Sequence, residues 1–294
     1  METNALLVTW SMDCESIDEE SPTGGPDGWD LSERAMRGYV AALAERGHRV
    51  TLFLIPRLAE VQADVLLGLR DAGAELGMHL HPQTTDLGYD RHLGELPAGE
   101  QYRLLRSGRD RIQAAVRETP TSFRPGCFSA TDETFPALVR LGFTQGSVSL
   151  PGRVLPDLAA VWSNAVPFAH WASRQSWLEA GSLPFLELPV TAAPGDFAGP
   201  AAGTGDVRHL RLERDGILDW GPDLIRRNVA LQVQRDVQLK SLVVMTHNTR
   251  DYGDPQEPAR RSLEGIADAI EQAAQEADLR VKAATLSEIR KATG

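Results

Sequence analysis

The sequence predicts an α/β fold, specifically an irregular (β/α) barrel of seven or eight strands. Short apolar runs alternate with helix-like stretches along most of the chain, which gives about eight βα-like units. The run at residues 50–55 is apolar except for Thr51, as expected for a strand buried on both faces of a parallel sheet. Of the 294 residues, 42% are hydrophobic, which is enough to bury a sizeable core.

The predicted elements follow one another with short connections. Strands are expected at residues 5–10, 50–55, 75–81, 122–124, 145–150, 185–190, 241–247 and 279–284. Helices are expected at residues 31–46, 58–72, 99–118, 131–141, 222–238 and 258–277. Gly47 and Gly73 end the first two helices, and Ser129 or Thr131 is expected to cap the fourth. Residues 151–177 receive no assignment.

We expect residues 1–294 to form a single catalytic domain. The Gly-, Ala- and Pro-rich stretch at about 192–206 suits either a linker between domains or a long surface loop. No change of composition on its far side marks a second domain, so we interpret it as a surface loop.

The net charge of −11 argues against binding to nucleic acid or to anionic membrane surfaces. No apolar stretch reaches 18 residues and the N-terminus lacks a basic start, so we expect no membrane insertion and a cytoplasmic location. Two cysteines, Cys14 and Cys127, are too few for a disulfide framework. The acidic residues 13–20 favour a neutral or cationic small-molecule substrate or glycoconjugate, and the sequence leaves the oligomeric state open.

Ionisable residues lie at or just beyond the carboxyl ends of four predicted strands, where parallel α/β proteins place their active sites. They are Asp13 and Glu15, His79 and His81, Arg124, and His247.

Two histidines with one or two carboxylates suit Zn²⁺, or alternatively Co²⁺, Ni²⁺ or Mn²⁺. Residues two apart on a strand share a face, so His79 and His81 can converge on one ion, as can Asp13 and Glu15. His-X-His alone is a weak signal, and ordinary surface histidines beside a solvated acidic loop remain an alternative.

The ordered segments resemble the polysaccharide deacetylase family, also called the NodB-homology or carbohydrate esterase family 4 type, across nearly the whole chain. Thr9-Trp10-Ser11-Met12-Asp13-Cys14-Glu15 resembles the first motif of the family, in the form found in the subgroup that carries Asp-X-Glu instead of paired aspartates. Glu75-Leu76-Gly77-Met78-His79-Leu80-His81-Pro82 resembles the metal-binding histidine motif of the family. Phe123-Arg124-Pro125-Gly126 resembles its arginine motif. Two further segments, Leu186-Glu187-Leu188-Pro189-Val190 and Val243-Val244-Met245-Thr246-His247, resemble the fourth and the last motif of the family.

This resemblance implies a role for each of six residues. Asp13 would be the general base, Arg124 would orient it, and His247 would be the general acid. Glu15, His79 and His81 would bind the divalent metal ion. The chain departs from the family pattern in having Cys14 where most members carry a second aspartate, so Asp13 and Glu15 both remain candidate ligands. It also has Gln83 four residues after His79, where the second histidine usually stands.

The implied activity is metal-dependent amide hydrolysis, most simply removal of an N-acetyl group from an amino sugar or sugar conjugate with release of acetate. Relatives in the family also open cyclic amides, so hydrolysis of an imide, hydantoin or allantoin-type ring is the alternative reaction. A metal-free, non-catalytic carbohydrate-binding relative is the alternative from another functional class, although both Asp13 and His247 are present.

Overall fold

The computed structural model describes residues 4–21, 23–85, 88–193 and 206–293. Residues 194–205, which make up most of the loop expected at about 192–206, lie outside the described residues.

The described strands and helices alternate through most of the chain. The strands are β1 (Ala5–Cys14), β2 (Val50–Leu54), β3 (Glu75–Leu80), β4 (Ser122–Pro125), β5 (Gln145–Gly146), β6 (Val154–Leu155), β7 (Ala160–Val161), β8 (His170–Trp171), β9 (Leu186–Glu187), β10 (Ser241–His247) and β11 (Arg280–Ala283). The helices are α1 (Trp29–Ala44), α2 (Pro56–Val61), α3 (Ala63–Asp71), α4 (Ala98–Val116), α5 (Thr134–Arg140), α6 (Ile217–Gln234), α7 (Pro258–Glu276) and α8 (Leu286–Ala292).

Nine of the described strands form one curled sheet at the centre of the fold. Its order is β10-β1-β2-β3-β4-β5-β9-β8, and β11 pairs with the first residues of β1. Every pairing in this sheet is parallel except that of β8 with β9. The predicted α/β class with a barrel-like parallel sheet is therefore confirmed, in the form of a curled half-barrel.

Irregular backbone links the two ends of the curled sheet. Thr191, shortly after β9, donates its N–H to the carbonyl of Val243 in β10, at 3.1 Å. Met245 donates its N–H to Leu210 at 2.8 Å, and Leu212 donates to Met245 at 3.0 Å. These bonds place residues 209–213 beside the carboxyl end of β10, which is where the candidate site lies.

The core fills the space between the sheet and its helices. Its buried members run from Leu6 in β1 to Ile289 in α8, and β2 is buried along its whole length, as its apolar run predicts. None of the described helices is long and apolar enough to cross a membrane.

Several local predictions are wrong. The strands expected at 145–150 and 185–190 are strands only at β5 and β9, and two helix predictions also fail. The helix expected at 58–72 is broken at Gln62, whose side-chain amide bonds to Ser32 and to the Trp29 carbonyl of α1. Neither Ser129 nor Thr131 caps α5: the Ser129 hydroxyl accepts from the Gly94 N–H, and α5 begins only at Thr134.

Candidate active site and metal centre

The parallel register assembles the site from strands that are distant in sequence. Asp13 at the end of β1 is in register with His247 at the end of β10, and His79 in β3 is in register with Arg124 in β4. These side chains lie at the carboxyl edge of the sheet. Asp13, His79 and His247 also line one cavity of about 380 Å³, within the range of about 300–1,000 Å³ typical of small-molecule sites.

Glu15, His79 and His81 form a compact buried triangle in this cavity. Glu15 Oε1 lies 3.1 Å from His79 Nε2 and 2.9 Å from His81 Nε2, and the two Nε2 atoms are 3.2 Å apart. Four ligands at about 2.1 Å around Zn²⁺ would lie about 3.4 Å from one another. The three atoms are thus spaced almost as the ligands of one ion would be.

The chemistry of the triangle also fits a divalent cation. The Nδ1–H of His79 donates to the Arg124 carbonyl at 2.9 Å, which leaves the Nε2 lone pair free to face the other two residues. Glu15 Oε2 is buried without a hydrogen-bond partner among the described residues. Burial raises the pKa of Glu15, but His81 and His79 outweigh that effect and hold it well below its usual value. An ionised carboxylate and two imidazole nitrogens therefore face one point.

Asp13 lines the same cavity and pairs with Arg124. Arg124 Nη1 donates to Asp13 Oδ1 at 2.7 Å, and Nη2 donates to the Ser11 hydroxyl at 2.9 Å. Both charged side chains are almost completely buried. Burial raises the pKa of Asp13, and the charges of Arg124, His79 and His247 reverse the effect and leave it lowered. Asp13 is consequently a charged carboxylate with one oxygen held and Oδ2 facing His247.

A buried glutamate to which the sequence assigned no role holds the backbone that contacts Arg124. Glu187 in β9 is fully buried and accepts hydrogen bonds from the Val148 N–H, the Ser149 N–H and the Ser149 hydroxyl. These bonds fix residues 147–149, and the Ser147 carbonyl accepts from Arg124 Nε at 3.3 Å. Glu187 thus holds the backbone against which the guanidinium rests.

His247 is oriented by Glu213. Glu213 Oε1 lies 2.5 Å from His247 Nδ1, and His247 Nε2 is 4.0 Å from Asp13 Oδ2. Burial raises the pKa of Glu213, and His247 more than reverses this, so that the carboxyl is strongly held in its charged form. With Nδ1–H donated to Glu213, only Nε2 can exchange a proton with a molecule in the cavity.

The turn after β4 carries a strained backbone beside the triangle. Cys127 and Phe128 have φ angles of 55° and 58°, in the left-handed region that non-glycine residues avoid. A Cβ on the preceding Gly126 would lie 2.3 Å from His81 Nδ1, so only glycine leaves room for the imidazole there. This turn therefore fixes one wall of the cavity and the position of His81.

Asn248 connects the two strands that carry the central residues. Its side chain accepts from the Glu15 N–H at 2.9 Å and donates to the Glu15 carbonyl at 2.9 Å, and its own N–H donates to the Asp13 carbonyl. These bonds hold the backbone of Glu15 where β1 ends at Cys14.

All six residues expected from the sequence lie together at this edge of the sheet. Of the two candidate ligands, Glu15 lies with the histidines and Asp13 lies with Arg124. Gln83 bonds to His92, outside the triangle. Sequence reasoning missed Glu213, Glu187 and Asn248, which act through other residues and follow no metal or nucleophile spacing.

Comparison with known proteins supports the family resemblance. Residues 26–146 match the family model described as polysaccharide deacetylase, and the resemblance to that family is confirmed. His79, His81 and Arg124 lie inside the matched span, whereas Asp13, Glu15 and His247 lie outside it. A search of the curated proteins finds no match to this chain.

Solved structures with similar folds come from several bacteria. A Mycobacterium smegmatis protein provisionally described as a polysaccharide deacetylase is 17% identical, with 99% of this chain and 91% of that chain covered and a TM-score of 0.57. A family 4 carbohydrate esterase from Streptomyces lividans, in complex with acetate, is 13% identical over 95% of this chain and 92% of that chain, with a TM-score of 0.46. A family 4 acetyl xylan esterase from Clostridium thermocellum, in complex with cobalt, is 13% identical over 98% and 92%, with a TM-score of 0.46. The first likeness shows that the fold is shared.

Proposed function

We propose that this chain, with its polysaccharide deacetylase match over residues 26–146, is a metal-dependent amide hydrolase that removes the N-acetyl group of an amino sugar or sugar conjugate and releases acetate. The observation that carries the proposal is one cavity in which the Glu15–His79–His81 triangle lies beside both the Asp13–Arg124 and the His247–Glu213 pairs. The family supports deacetylation of carbohydrates, and these pairs supply the groups that amide hydrolysis requires.

Glu15, His79 and His81 would hold the divalent ion, which we expect to be zinc. When bound, such an ion supplies Lewis acidity and lowers the pKa of water towards about 7. Asp13 would accept the proton of the attacking water through Oδ2, the oxygen that Arg124 leaves free. Arg124 would keep Asp13 charged and fixed, so that the carboxylate need not reorient during proton transfer.

His247 would give a proton to the nitrogen that leaves. An amine is a poor leaving group unless it is protonated, so hydrolysis of an amide needs a general acid as well as a base. Glu213 would fix the ring through Nδ1, so that Nε2 faces the cavity and would carry the transferred proton. His247 Nε2 is 4.0 Å from Asp13 Oδ2, so one small reacting group beside them would contact both the acid and the base.

We also propose that residues 1–294 form one catalytic domain. β1 from the start of the chain pairs with β10 and β11 from its end, so neither half contains a complete sheet. A cytoplasmic location stays a prediction.

The test combines metal analysis with acetate release from N-acetylglucosamine and its oligomers. His79→Ala should lose bound metal and activity together. His247→Ala should retain metal while kcat falls by about 10²- to 10⁴-fold, the usual size for a general acid. His92→Ala, a histidine outside the cavity lining, is the matched control and should change neither property.

Three outcomes would reject the proposal. A wild-type protein that binds no metal and gains no thermal stability on addition of Zn²⁺ or Co²⁺ would not be a metal-dependent hydrolase. Ring opening of succinimide or allantoin without acetate release would assign the cavity to cyclic amides. A His247→Ala variant with normal kcat would remove the assigned acid.

A further inference from the structure

We propose that the cavity contains a subsite for an anionic group of the substrate, a carboxylate or a phosphate, and that Arg211 binds this group. The inference rests on the proposed function, because it names the class of sugar that the same cavity accepts.

The two carboxylates that line the cavity are already engaged by other groups. Among the described lining residues the carboxylates are Asp13 and Glu15, and the guanidinium groups are Arg153 and Arg211. Asp13 is already paired with Arg124, and Glu15 faces His79 and His81. The two lining arginines thus face a space whose carboxylates are engaged elsewhere.

Each carboxylate that pairs with one of these arginines also pairs with a second basic residue. Glu213 Oε1 lies 2.8 Å from Arg211 Nε as well as 2.5 Å from His247 Nδ1. Asp206 pairs with both Arg153, at 2.9 Å, and Arg214. Three arginines therefore share two carboxylates, which leaves one excess positive charge even with His247 neutral.

The excess positive charge also acts on the buried side chain of His209. Burial lowers its pKa, and the positive charges of Arg153 and Arg214 lower it further, to about 3. His209 therefore stays neutral near neutral pH and does not itself add to the positive charge. The wall made by residues 206–214 with Arg153 favours an anion.

Arg211 has the free hydrogen-bond donors that an anion requires. In the part of the chain that the structure describes, its guanidinium is bonded through Nε alone, and about 35% of the side chain is exposed. Its two terminal amino groups can hold a carboxylate or phosphate by paired, charge-assisted hydrogen bonds. Arg153 is only 8% exposed and is bonded to Asp206 and to the Cys127 carbonyl, so it contributes charge and no direct contact.

The acidic stretch of the sequence does not oppose an anion at this place. Asp18, Glu19 and Glu20 are not among the lining residues, and Glu20 pairs with Arg57 at 3.0 Å. The expectation of a neutral or cationic sugar assumed that these carboxylates line the mouth of the cavity, and the proposal of an anionic sugar replaces it.

The shared carboxylate also fixes where the anion lies. Because Arg211 and His247 both contact Glu213 Oε1, the bound anion lies beside the proposed acid. The anionic group and the acetamide to be cleaved therefore belong to one sugar unit or to two directly bonded units.

The test uses sugars that differ in one anionic group: N-acetylglucosamine, its 6-phosphate, and N-acetylmuramic acid, which adds a carboxylate through a lactyl ether. Wild-type kcat/KM should be at least about tenfold higher for one of the anionic sugars than for N-acetylglucosamine, because hydrogen bonds to a charged group contribute binding energy of this size. The better of the two identifies phosphate or carboxylate as the group. Arg211→Gln should lower the anionic-to-neutral ratio by about tenfold or more, and Arg211→Lys should lower it less.

Arg226→Gln is the matched control, because Arg226 is an exposed, ion-paired arginine on α6. It should leave the ratio unchanged. If Arg211→Gln lowers kcat equally for all three sugars, Arg211 merely positions Glu213 and the subsite is refuted. Equal wild-type rates for the anionic and neutral sugars would refute it too.

A binding measurement separates this proposal from the proposed function. Titration calorimetry of the zinc-loaded protein with the same three sugars needs no turnover. Tighter binding of an anionic sugar by the wild type than by Arg211→Gln supports the subsite even if no acetate is released. Equal affinities for neutral and anionic sugars would overturn it. Arg211→Lys serves the same comparison should Arg211→Gln fail to fold.

Discussion

Replacing Glu187 by glutamine should alter the pH dependence of stability in a defined direction. Glu187 is fully buried, and burial raises its pKa to about 7 despite the hydrogen bonds from Ser149 and Val148 and the charge of Arg124. In the unfolded chain a glutamate titrates near 4.5. Between these two values the unfolded state therefore releases the proton while the folded state keeps it.

The sign and size follow from this difference. A raised folded pKa means that the stabilisation contributed by Glu187 is fully present below about pH 4.5 and is lost as the pH rises towards 7. A difference of about 2.5 pKa units corresponds to about 3 kcal/mol, most of it lost between pH 5 and 8. Glu187→Gln cannot ionise, so this contribution is absent. The stability of the variant relative to the wild type should thus rise by about 2 to 3 kcal/mol over that interval.

The measurement is urea unfolding of both proteins at pH 5, 6, 7 and 8. Titrations elsewhere in the chain cancel in the difference between the two proteins, which isolates residue 187. Glu271→Gln makes the same chemical change on the exposed face of α7 and should show no such trend. Parallel pH profiles for Glu187→Gln and the wild type would refute the reasoning, because they would place the titration of Glu187 near its ordinary range.

Three further changes test other contacts of the site. Gly126→Ala should weaken zinc binding by at least about tenfold, because the added Cβ would displace His81. Gly68→Ala adds a Cβ in open space and should leave zinc binding unchanged. Equilibrium dialysis measures the zinc affinity of both variants. Glu213→Gln should lower kcat by about tenfold or more at full metal content, and normal kcat would deny its role in orienting the acid. Arg124→Met should destabilise by about 3–5 kcal/mol by leaving a buried carboxylate unpaired, and Asp13→Asn in the same chain should restore much of this in urea unfolding.

The fold was predictable because its signals are local. The largely apolar run at 50–55 and the run that becomes β10 identify buried parallel strands, and helices such as α7 show an apolar face of regular period. β5 and β9 are only two residues long, so the expected strands at 145–150 and 185–190 are mostly irregular. Their backbone bonds go to side chains such as Glu187 and to distant loops, which no local pattern records.

Residues that would touch the substrate or metal were easier to find than the residues that support them. Asp13, His79 and His247 lie at the carboxyl ends of strands, so the topology of a parallel sheet predicts that they meet. Glu213 and Arg211 lie in an irregular segment that is held beside β10 by backbone bonds of Leu210 and Leu212 to Met245, and by side-chain bonds of Glu213. Their position depends on the curvature of the whole sheet, which a single sequence does not specify.

This difference bears on which parts of the site can vary. Asp13 and His247 are neighbours in the register of β1 and β10, so their separation follows the fixed spacing of paired strands, about 4.8 Å. A change in either strand would disturb the sheet itself. Arg211 is carried by an irregular segment and can be replaced without altering any strand pairing. The acid and base are therefore tied to the fold, whereas discrimination among sugars is tied to the segment that carries Arg211, and substitutions there should change substrate preference before they change stability.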